Sequence, residues 1–318
     1  MSDLVFGPVP SRRLGSSIGI NNIPPKNCSY ACVYCQLGKA IKMDADRKSF
    51  YDPQEVINAV KERVRIAESN GDEIDYLTFV PDGEATLDIH LGEIIEGLKP
   101  LNTKLAIITN SSLIDRLDVR EELMQLDLVS LKIDAISETV WRKTDHPHRI
   151  LDLNRIFEGI ELFAGQYLGK LITETMLIEG YNDQFAELHL LADYIGTINP
   201  HTAFISIPTR SPARMGVKPA AEETINQAYQ IFSSKIRRVE YLVGHEGNAF
   251  AHTGDTRSDL LSITAVHPMR ADSVKAFLEK DGKDWSLVQE LINEGALLET
   301  FYNGYHFYVR KLKQQNQF

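Results

Sequence analysis

The sequence predicts an α/β protein in which helices cover a parallel sheet, followed by a small unit of two helices and a hairpin. Up to about residue 232, short apolar segments alternate with amphipathic helical segments, as in a parallel sheet and its connecting helices. We count six such strand–helix units, fewer than the eight of a closed (β/α)8 barrel. The alternation alone is equally compatible with an open doubly wound sheet.

The elements are predicted in order from apolar periodicity and end signals. Strands are predicted at 17–20, 74–80, 104–109, 128–133, 170–177, 203–207 and 237–243. Helices are predicted at 53–69, 89–98, 114–125, 137–143, 153–164 and 184–195. In the first helix Asp52 fits an N-cap, Pro53 fits the first turn, and Gly71 follows the end. A loop is predicted from Pro8 to the first strand. The T-D-H-P-H-R run at 144–149 is predicted to be a surface loop, with the alternative that its two histidines contact substrate or transfer protons.

The chain is predicted to divide into residues 1–243, a connector at 244–257, and a small domain at 258–318. The last part has helices at 271–280 and 284–293, then a hairpin turn at Asn303-Gly304, the order found in winged-helix units. Its second helix carries Glu290 and Glu294 and no Lys or Arg. From residue 258 onward there are seven basic and eight acidic residues, so we discount a DNA-reading function.

Composition and charge limit the location and partners. The 318 residues carry a formal net charge of −10 and contain no apolar run long enough for a membrane span. The N-terminal residues lack a basic stretch followed by an apolar one, so we expect a cytoplasmic protein with no membrane partner. The negative charge argues against a surface coated in phosphate contacts, although a local basic groove is allowed.

The only cysteines are Cys28, Cys32 and Cys35, in the stretch N-C-S-Y-A-C-V-Y-C-Q-L-G. Thiolates bind soft metals and iron–sulfur clusters, and a cubane [4Fe–4S] cluster usually takes four of them. Three from one loop leave one iron without a protein ligand, where chemistry can occur. A disulfide would favour an even count, and a structural zinc site would need a fourth ligand that the loop lacks. A zinc-stabilised α/β protein without catalysis is the remaining structural alternative.

Polar residues follow the predicted strands, and chemistry in either architecture belongs at those C-terminal strand ends. The segment P-D-G-E-A-T-L has Gly83 for close backbone approach and Glu84 to accept from an ammonium. Asn110 and Ser111 follow the next strand, in position to bind ribose or carboxylate oxygens. We therefore expect this edge of the sheet to hold the site.

Three further charged residues are candidates for catalysis. Lys132 lies near the end of the fourth strand, either as a ligand-binding cation or in an ion pair within the barrel. Glu174 lies between apolar residues of the fifth strand and, facing inward, is expected to meet a basic residue or substrate. Arg210 follows the sixth strand in I-P-T-R-S-P and is a candidate for a substrate phosphate or carboxylate.

The spacing C-x3-C-x-aromatic-C, with Tyr34 as the aromatic, resembles the signature of radical S-adenosylmethionine (SAM) enzymes. The resemblance implies a partial (β/α)6 TIM-like barrel, a [4Fe–4S] cluster on the three cysteines, and SAM on the open iron. It implies reductive cleavage of SAM to a 5′-deoxyadenosyl radical that abstracts hydrogen from the substrate. It also implies an electron donor of the flavodoxin or ferredoxin type.

The resemblance extends to the segments that would bind SAM. D-G-E is similar to the family's G-G-E motif, which binds the methionine amino group, although Asp82 replaces the first glycine. T-N-S is similar to T-N-G, with Ser111 in place of glycine. L-K-I-D-A is similar to an S-L-D segment, so Lys132 is expected to pair with the SAM carboxylate and Asp134 to accept from the ribose.

The wider match suggests a subgroup with a C-terminal winged-helix-like unit and a core similar to wybutosine-synthesis tRNA enzymes. It is carried by F-G-P-V-P-S-R-R-L-G, E-G-Y-N-D, P-T-R, T-G-D and A-V-H-P-M-R. Those enzymes carry further cysteines for a second cluster, and this chain has none, which argues against that reaction. RNA, specifically tRNA, is the first substrate expected and a peptide or protein the second. The alternative of another class is a cluster-bearing, redox-sensing regulator that binds nucleic acid.

Overall fold

The computed structural model describes residues 4–38, 40, 42–242, 255–266, 268–302 and 304–311. In chain order, the strands are β1 (Val5–Ser11), β2 (Gly15–Ile20), β3 (Asn27–Cys28), β4 (Lys42–Met43), β5 (Tyr76–Phe79), β6 (Lys104–Thr109), β7 (Leu128–Lys132), β8 (Lys170–Met176), β9 (Thr202–Ser206), β10 (Val239–Leu242), β11 (Met269–Arg270), β12 (Leu297–Tyr302) and β13 (Tyr305–Arg310). The α-helices are α1 (Pro53–Ser69), α2 (Leu91–Leu98), α3 (Leu117–Leu123), α4 (Glu138–Thr144), α5 (Leu153–Ala164), α6 (Phe185–Ile198), α7 (Glu222–Ser233), α8 (Thr256–Val266), α9 (Ala271–Lys280) and α10 (Ser286–Asn293).

The central sheet has eight strands in the order β1-β2-β5-β6-β7-β8-β9-β10. From β2 to β10 every neighbouring pair is parallel, whereas β1 pairs antiparallel with β2 at the edge. The spatial order follows the chain because each crossover helix returns the chain to the next strand in the same sense. The sheet curls into a half-barrel, which confirms the partial TIM-like fold, with β10 as a seventh parallel strand.

Strand β1 corrects the prediction that a loop runs from Pro8 to the first strand. Pro8 and Pro10 lower the strand propensity of this segment, because proline cannot donate to a ladder. An edge strand tolerates them, since only one side of it pairs. The hairpin partner β2 supplies that pairing, from Val5 opposite Ile20 to Ser11 opposite Gly15.

Side chains alternate between the two faces of the sheet, as the two-residue period of a strand requires. In β6, Leu105 and Ile107 join the large apolar core between the sheet and the helices. Ala106 belongs to a smaller apolar cluster on the other face, and Ile108 packs against it. The helices therefore cover the outer face, and the inner face of the curl is left to line a cavity.

Local signals set the helix ends where the sequence indicates them. Asp52 accepts a hydrogen bond of 2.8 Å from the backbone N–H of Gln54, and Pro53 is the first residue of α1. Gly71 follows the end of α1 with a φ of +77°, a left-handed conformation that favours glycine. The N-cap and the ends predicted for this helix are thus confirmed.

The C-terminal elements α8, β11, α9, α10, β12 and β13 have the order of a winged helix, with a three-stranded sheet in the order β11-β13-β12. Helix α8 was not predicted. It begins at Thr256, inside the segment 244–257 that was expected to be a connector. Residues 244–254 of that segment lie outside the described ranges. Phe6 and Val9 of β1 pack in one apolar cluster with residues of this unit. Arg63 of α1 also forms a buried ion pair of 3.4 Å with Asp259 of α8. The unit thus shares a core with the barrel edge.

Within the described ranges, no helix is long and apolar enough to cross a bilayer.

Candidate active site at the C-terminal strand ends

The cysteine loop leaves the end of β2 and is hydrogen-bonded to the loops that follow β5 and β6. Asn27, at the start of the loop, accepts a backbone hydrogen bond of 3.0 Å from the N–H of Glu84. The side-chain amide of Asn110 donates to Ser29 Oγ at 2.9 Å and lies 3.6 Å from Cys28 Sγ. Parallel strands bring these three loops to one edge of the sheet, as predicted.

The D-G-E segment contacts the cysteine loop directly. A Cβ at Gly83 would overlap the carbonyl oxygen of Asn27, so only glycine permits this approach. Asp82, which replaces the first glycine of the related motif, forms an ion pair of 2.7 Å with Lys26. Lys26 also donates to the carbonyl of Leu37, beyond the third cysteine. The departure from the motif therefore adds a carboxylate that holds Lys26, and Lys26 in turn contacts the far end of the cysteine loop.

The three thiols are half-buried and lie among carboxylates. Burial raises the pKa of Cys28 to about 12, and the charge of Glu84 adds to that effect. Burial raises the pKa of Cys32 well above its usual value, with Asp145 the next cause. Burial also raises the pKa of Cys35, although nearby Lys26 opposes the change. The chain by itself favours neutral thiols, so bound metal cations are needed to stabilise thiolates here.

Glu84 is buried, and its carboxylate is held by three neighbouring residues. Oε1 accepts from the N–H and hydroxyl of Thr86 at 3.1 and 2.7 Å and from the Thr109 hydroxyl at 2.7 Å. Oε2 accepts from the backbone N–H of Asn110 at 2.7 Å. A carboxylate oxygen can accept more than one hydrogen bond, so Oε2 retains capacity for a further donor. Burial raises the pKa of Glu84, and these hydrogen bonds oppose the change.

Ser111 occupies the position where the related motif has glycine. Its φ is +66°, in the left-handed region, which explains why glycine suits that position. The Ser111 hydroxyl donates to the carbonyl of Lys132 at 3.2 Å. The T-N-S segment therefore joins the end of β6 to the end of β7.

Lys132, Asp134 and Glu174 lie together at the ends of β7 and β8. Lys132 Nζ is 3.2 Å from Glu174 Oε1 and 3.7 Å from Asp134 Oδ1. Arg13, from the turn between β1 and β2, pairs with the other oxygen of Glu174, and Ser206 donates to Glu174 at 2.9 Å. Burial alone would raise the pKa of Glu174, but Arg13 and Lys132 outweigh it and lower the pKa to about 2. The expectation that Glu174 faces inward and meets basic residues is confirmed.

Tyr34 links the cysteine loop to two buried carboxylates. Its hydroxyl donates to Asp134 and lies 3.3 Å from Asp145 Oδ1. The Lys132 ammonium lies 5.0 Å from the centre of the Tyr34 ring, within cation–π range. Burial raises the pKa of Asp145 well above its usual value, and the neighbouring Asp134 raises it further.

Asp145 is a site residue that the sequence reasoning missed, because the T-D-H-P-H-R run was predicted to be a surface loop. That prediction is wrong for Thr144 and Asp145, which are buried. Their carbonyls accept backbone hydrogen bonds from Val33 and Ala31 at 2.9 and 3.0 Å. Polar residues around a proline are typical of exposed loops, and only contact with the distant cysteine loop buries Thr144 and Asp145.

A cavity of about 430 Å³ lies on the inner face of the curl. Gln36 and Leu37, just after the third cysteine, form part of its wall, and Glu174 and Arg210 line it as well. Gln36 also accepts from the backbone N–H of Thr209 at 3.2 Å, which joins the cysteine loop to the end of β9. The predicted residue Arg210 thus lines the same cavity as the cysteine loop.

Comparison with known proteins agrees with this geometry. Residues 22–192 match the family model described as the radical SAM superfamily. The chain belongs to the radical SAM superfamily. It is 41% identical over 316 residues to the UPF0026 protein MJ1312 of Methanocaldococcus jannaschii, covering 99% of this chain and 98% of that one. It is also 36% identical over 209 residues to a UPF0026 protein of Helicobacter pylori, covering 65% of this chain and 66% of that one.

The fold of this radical SAM protein is also similar to that of a solved structure described as TYW1 with a lysine-pyruvate adduct bound. The two share 15% identity and a TM-score of 0.55, over 70% of this chain and 76% of that one. Membership of the superfamily makes this chain an enzyme whose cofactors are a [4Fe–4S] cluster and SAM. The similarity of fold to the TYW1 structure supports the half-barrel architecture described above.

The donor set at the site fits such a cluster. Cys28, Cys32 and Cys35 are soft donors in one loop. Within the described ranges, no three His, Cys, Asp or Glu side chains converge on one point that could hold a single metal ion. A cubane cluster does not need that convergence, because each thiolate binds a different iron. An Asn110 N–H close to Cys28 Sγ is the kind of donor that tunes a cluster.

Proposed function

We propose that Cys28, Cys32 and Cys35 hold one [4Fe–4S] cluster and that the enzyme cleaves SAM beside it to modify RNA. The observation that carries the proposal is the contact of the cysteine loop with D-G-E and T-N-S, through Asn27 and Asn110. When bound, the reduced cluster would supply one electron to SAM, which would divide into methionine and a 5′-deoxyadenosyl radical, and that radical would take a hydrogen atom from the substrate. A flavodoxin- or ferredoxin-type protein is the proposed electron donor.

The chain's own residues would bind and orient SAM at this edge. Gly83 brings its backbone next to the cysteine loop, and Glu84 Oε2 has acceptor capacity left for the methionine ammonium. Lys132 carries the positive charge proposed to pair with the SAM carboxylate, and its contacts with Asp134 and Glu174 hold that charge at the strand ends. Asn110, Ser111 and Asp134 supply the amide, hydroxyl and carboxylate groups proposed to meet the remaining polar atoms of SAM. Tyr34 holds Asp134 by a hydrogen bond.

Reconstitution tests the cluster and its chemistry. The protein would be loaded anaerobically with iron and sulfide, reduced with dithionite and assayed for 5′-deoxyadenosine with SAM present. We expect cluster absorbance and 5′-deoxyadenosine formation, and loss of both when the three cysteines are replaced by alanine. Arg65→Gln is the matched control, because Arg65 is exposed on α1 and pairs only with Glu62 in the described contacts. Zinc without iron in an anaerobic preparation would contradict the proposal.

RNA is proposed as the substrate because arginines line the cavity that adjoins the cysteine loop. An acidic protein with a net charge of −10 would need such a local basic site to bind a polyanion. We expect RNA to co-purify at low salt and its affinity to fall steeply as salt rises, since phosphate contacts release counterions. Salt-insensitive binding of a peptide would contradict this substrate.

A further inference from the structure

The charged side chains that line the cavity are almost all arginines. The arginines are Arg12, Arg13, Arg210 and Arg270. Glu174 is the one carboxylate among the described lining residues. Glu174 is already paired with Arg13 and Lys132. Arginine presents a planar fork of donors that matches phosphate geometry, and several arginines can share one phosphate.

The C-terminal unit contributes one wall of this cavity. Arg270, Tyr305 and Phe307 come from β11 and β13 and line the cavity together with residues of the barrel. The guanidinium of Arg270 lies 4.4 Å from the centre of the Tyr305 ring, and Asp272 pairs with the same arginine. Tyr305 is half exposed, so its ring is available to stack with a base.

Packing against the barrel holds this wall in place. Phe6 and Val9 of β1 share an apolar cluster with Leu260 and Ile263 of α8. The buried pair of Arg63 and Asp259 adds a polar contact between α1 and α8. A cavity of about 430 Å³ is within the range of small-molecule sites and suits one nucleotide, not a duplex.

We propose that this cavity binds a single nucleotide of the substrate, with its phosphate on Arg12, Arg210 and Arg270 and its base against Tyr305. The C-terminal unit is then a substrate-binding wall, and its acidic α10 takes no part in reading nucleic acid. This inference rests on the proposed function, which supplies the cofactor side of the site. It adds that a phosphate and a base are the groups recognised, and that the C-terminal unit is part of the site that recognises them.

Equilibrium binding tests the inference without SAM or reductant. The probes are the four ribonucleoside 5′-monophosphates, the matching nucleosides and N-acetylglutamate, titrated into the full chain with its cluster at low salt. We expect at least one nucleotide to bind about tenfold or more tightly than its nucleoside, which corresponds to one good charge-assisted contact. N-acetylglutamate, whose only charged groups are carboxylates, is expected to bind no better than the nucleosides.

Substitutions locate the binding. Arg210→Gln and Arg270→Gln are each expected to remove about tenfold of nucleotide affinity, whereas the exposed Arg65→Gln keeps it. Arg12→Gln, at an exposed turn position, is the third cavity variant, and melting temperatures identify any misfolded variant. Equal binding of nucleotide and nucleoside, tighter binding of N-acetylglutamate, or unchanged affinity in all three cavity variants would overturn the inference. A chain that forms 5′-deoxyadenosine but shows no phosphate preference refutes this inference alone, and phosphate-selective binding without SAM cleavage refutes only the proposed function.

Discussion

Glu84 accepts a hydrogen bond of 2.7 Å from the backbone N–H of Asn110, and this bond joins the loop after β5 to the loop after β6. The side chain of Asn110 in turn reaches Ser29 and Cys28. A short chain of contacts therefore runs from the D-G-E motif to the first cysteine. A cofactor that must touch both the cluster and the D-G-E segment would find them already adjacent.

Glu84→Gln is expected to weaken this network. One oxygen of the carboxylate becomes an NH2 group, which must face a donor such as the Thr109 hydroxyl or the Asn110 N–H. Leaving a buried donor without an acceptor costs about 2 kcal/mol, so we expect that loss of unfolding free energy. Urea unfolding of the two proteins measures it, and a difference below about 0.5 kcal/mol would show that the network is not needed for stability.

Gly83→Ala is expected to displace the cysteine loop. The new methyl group would overlap the carbonyl oxygen of Asn27, so the backbone must shift, at about 2 kcal/mol for such an overpacking change. We expect a lower iron content per chain after anaerobic reconstitution. Gly71→Ala is the control, because it also has a positive φ but nothing lies within 4 Å of its Cβ position. Equal iron contents in the two variants would contradict the close-approach argument.

The pair of Lys26 and Asp82 is expected to behave as a buried ion pair. Both side chains are nearly buried, so Lys26→Met leaves an unpaired carboxylate and costs about 3–5 kcal/mol. The double variant Lys26→Met with Asp82→Asn removes both charges and is expected to lose less than the single variant. A double-mutant cycle from denaturant unfolding measures the coupling, and strictly additive losses would show that the pair does not interact.

The pH dependence of stability is expected to report on Glu174. Its folded pKa of about 2 lies below the ordinary 4.5, so its ionised form contributes stability that is present above pH 4.5 and lost as pH falls toward 2. At pH 7 the stability advantage of the wild type over Glu174→Gln is expected to be about 3 kcal/mol. The advantage should stay constant down to about pH 5 and then shrink by about 1.4 kcal/mol per pH unit. An advantage that grows on acidification would have the wrong sign for a depressed pKa.

Much of the barrel followed from local patterns. Seven strand segments, which become β2 and β5 to β10, are predicted because apolar strand segments and amphipathic helices have different periods, and that difference is visible in the sequence. Only six of them were expected in strand–helix units of the barrel, and the structure adds β10 to the parallel sheet. Helix α5 was predicted with the bounds that the structure has, and Asp152 caps it by accepting from Asn154. Strand β1 was missed because its prolines argue against a strand. The strand forms because β1 lies at the sheet edge and pairs only with β2.

The sequence by itself determined the cysteine loop, the alternation of strands and helices in the barrel, and the place of Gly83, Glu84 and Glu174 on that alternation, since spacing and periodicity are local properties. The tertiary structure alone decided which distant residues meet them. Asp145 lies beside Tyr34, Arg13 pairs with Glu174, and the C-terminal unit closes one side of the cavity. Such partners come from segments far apart in the chain, and their meeting depends on how the sheet curls and packs, which no local pattern records.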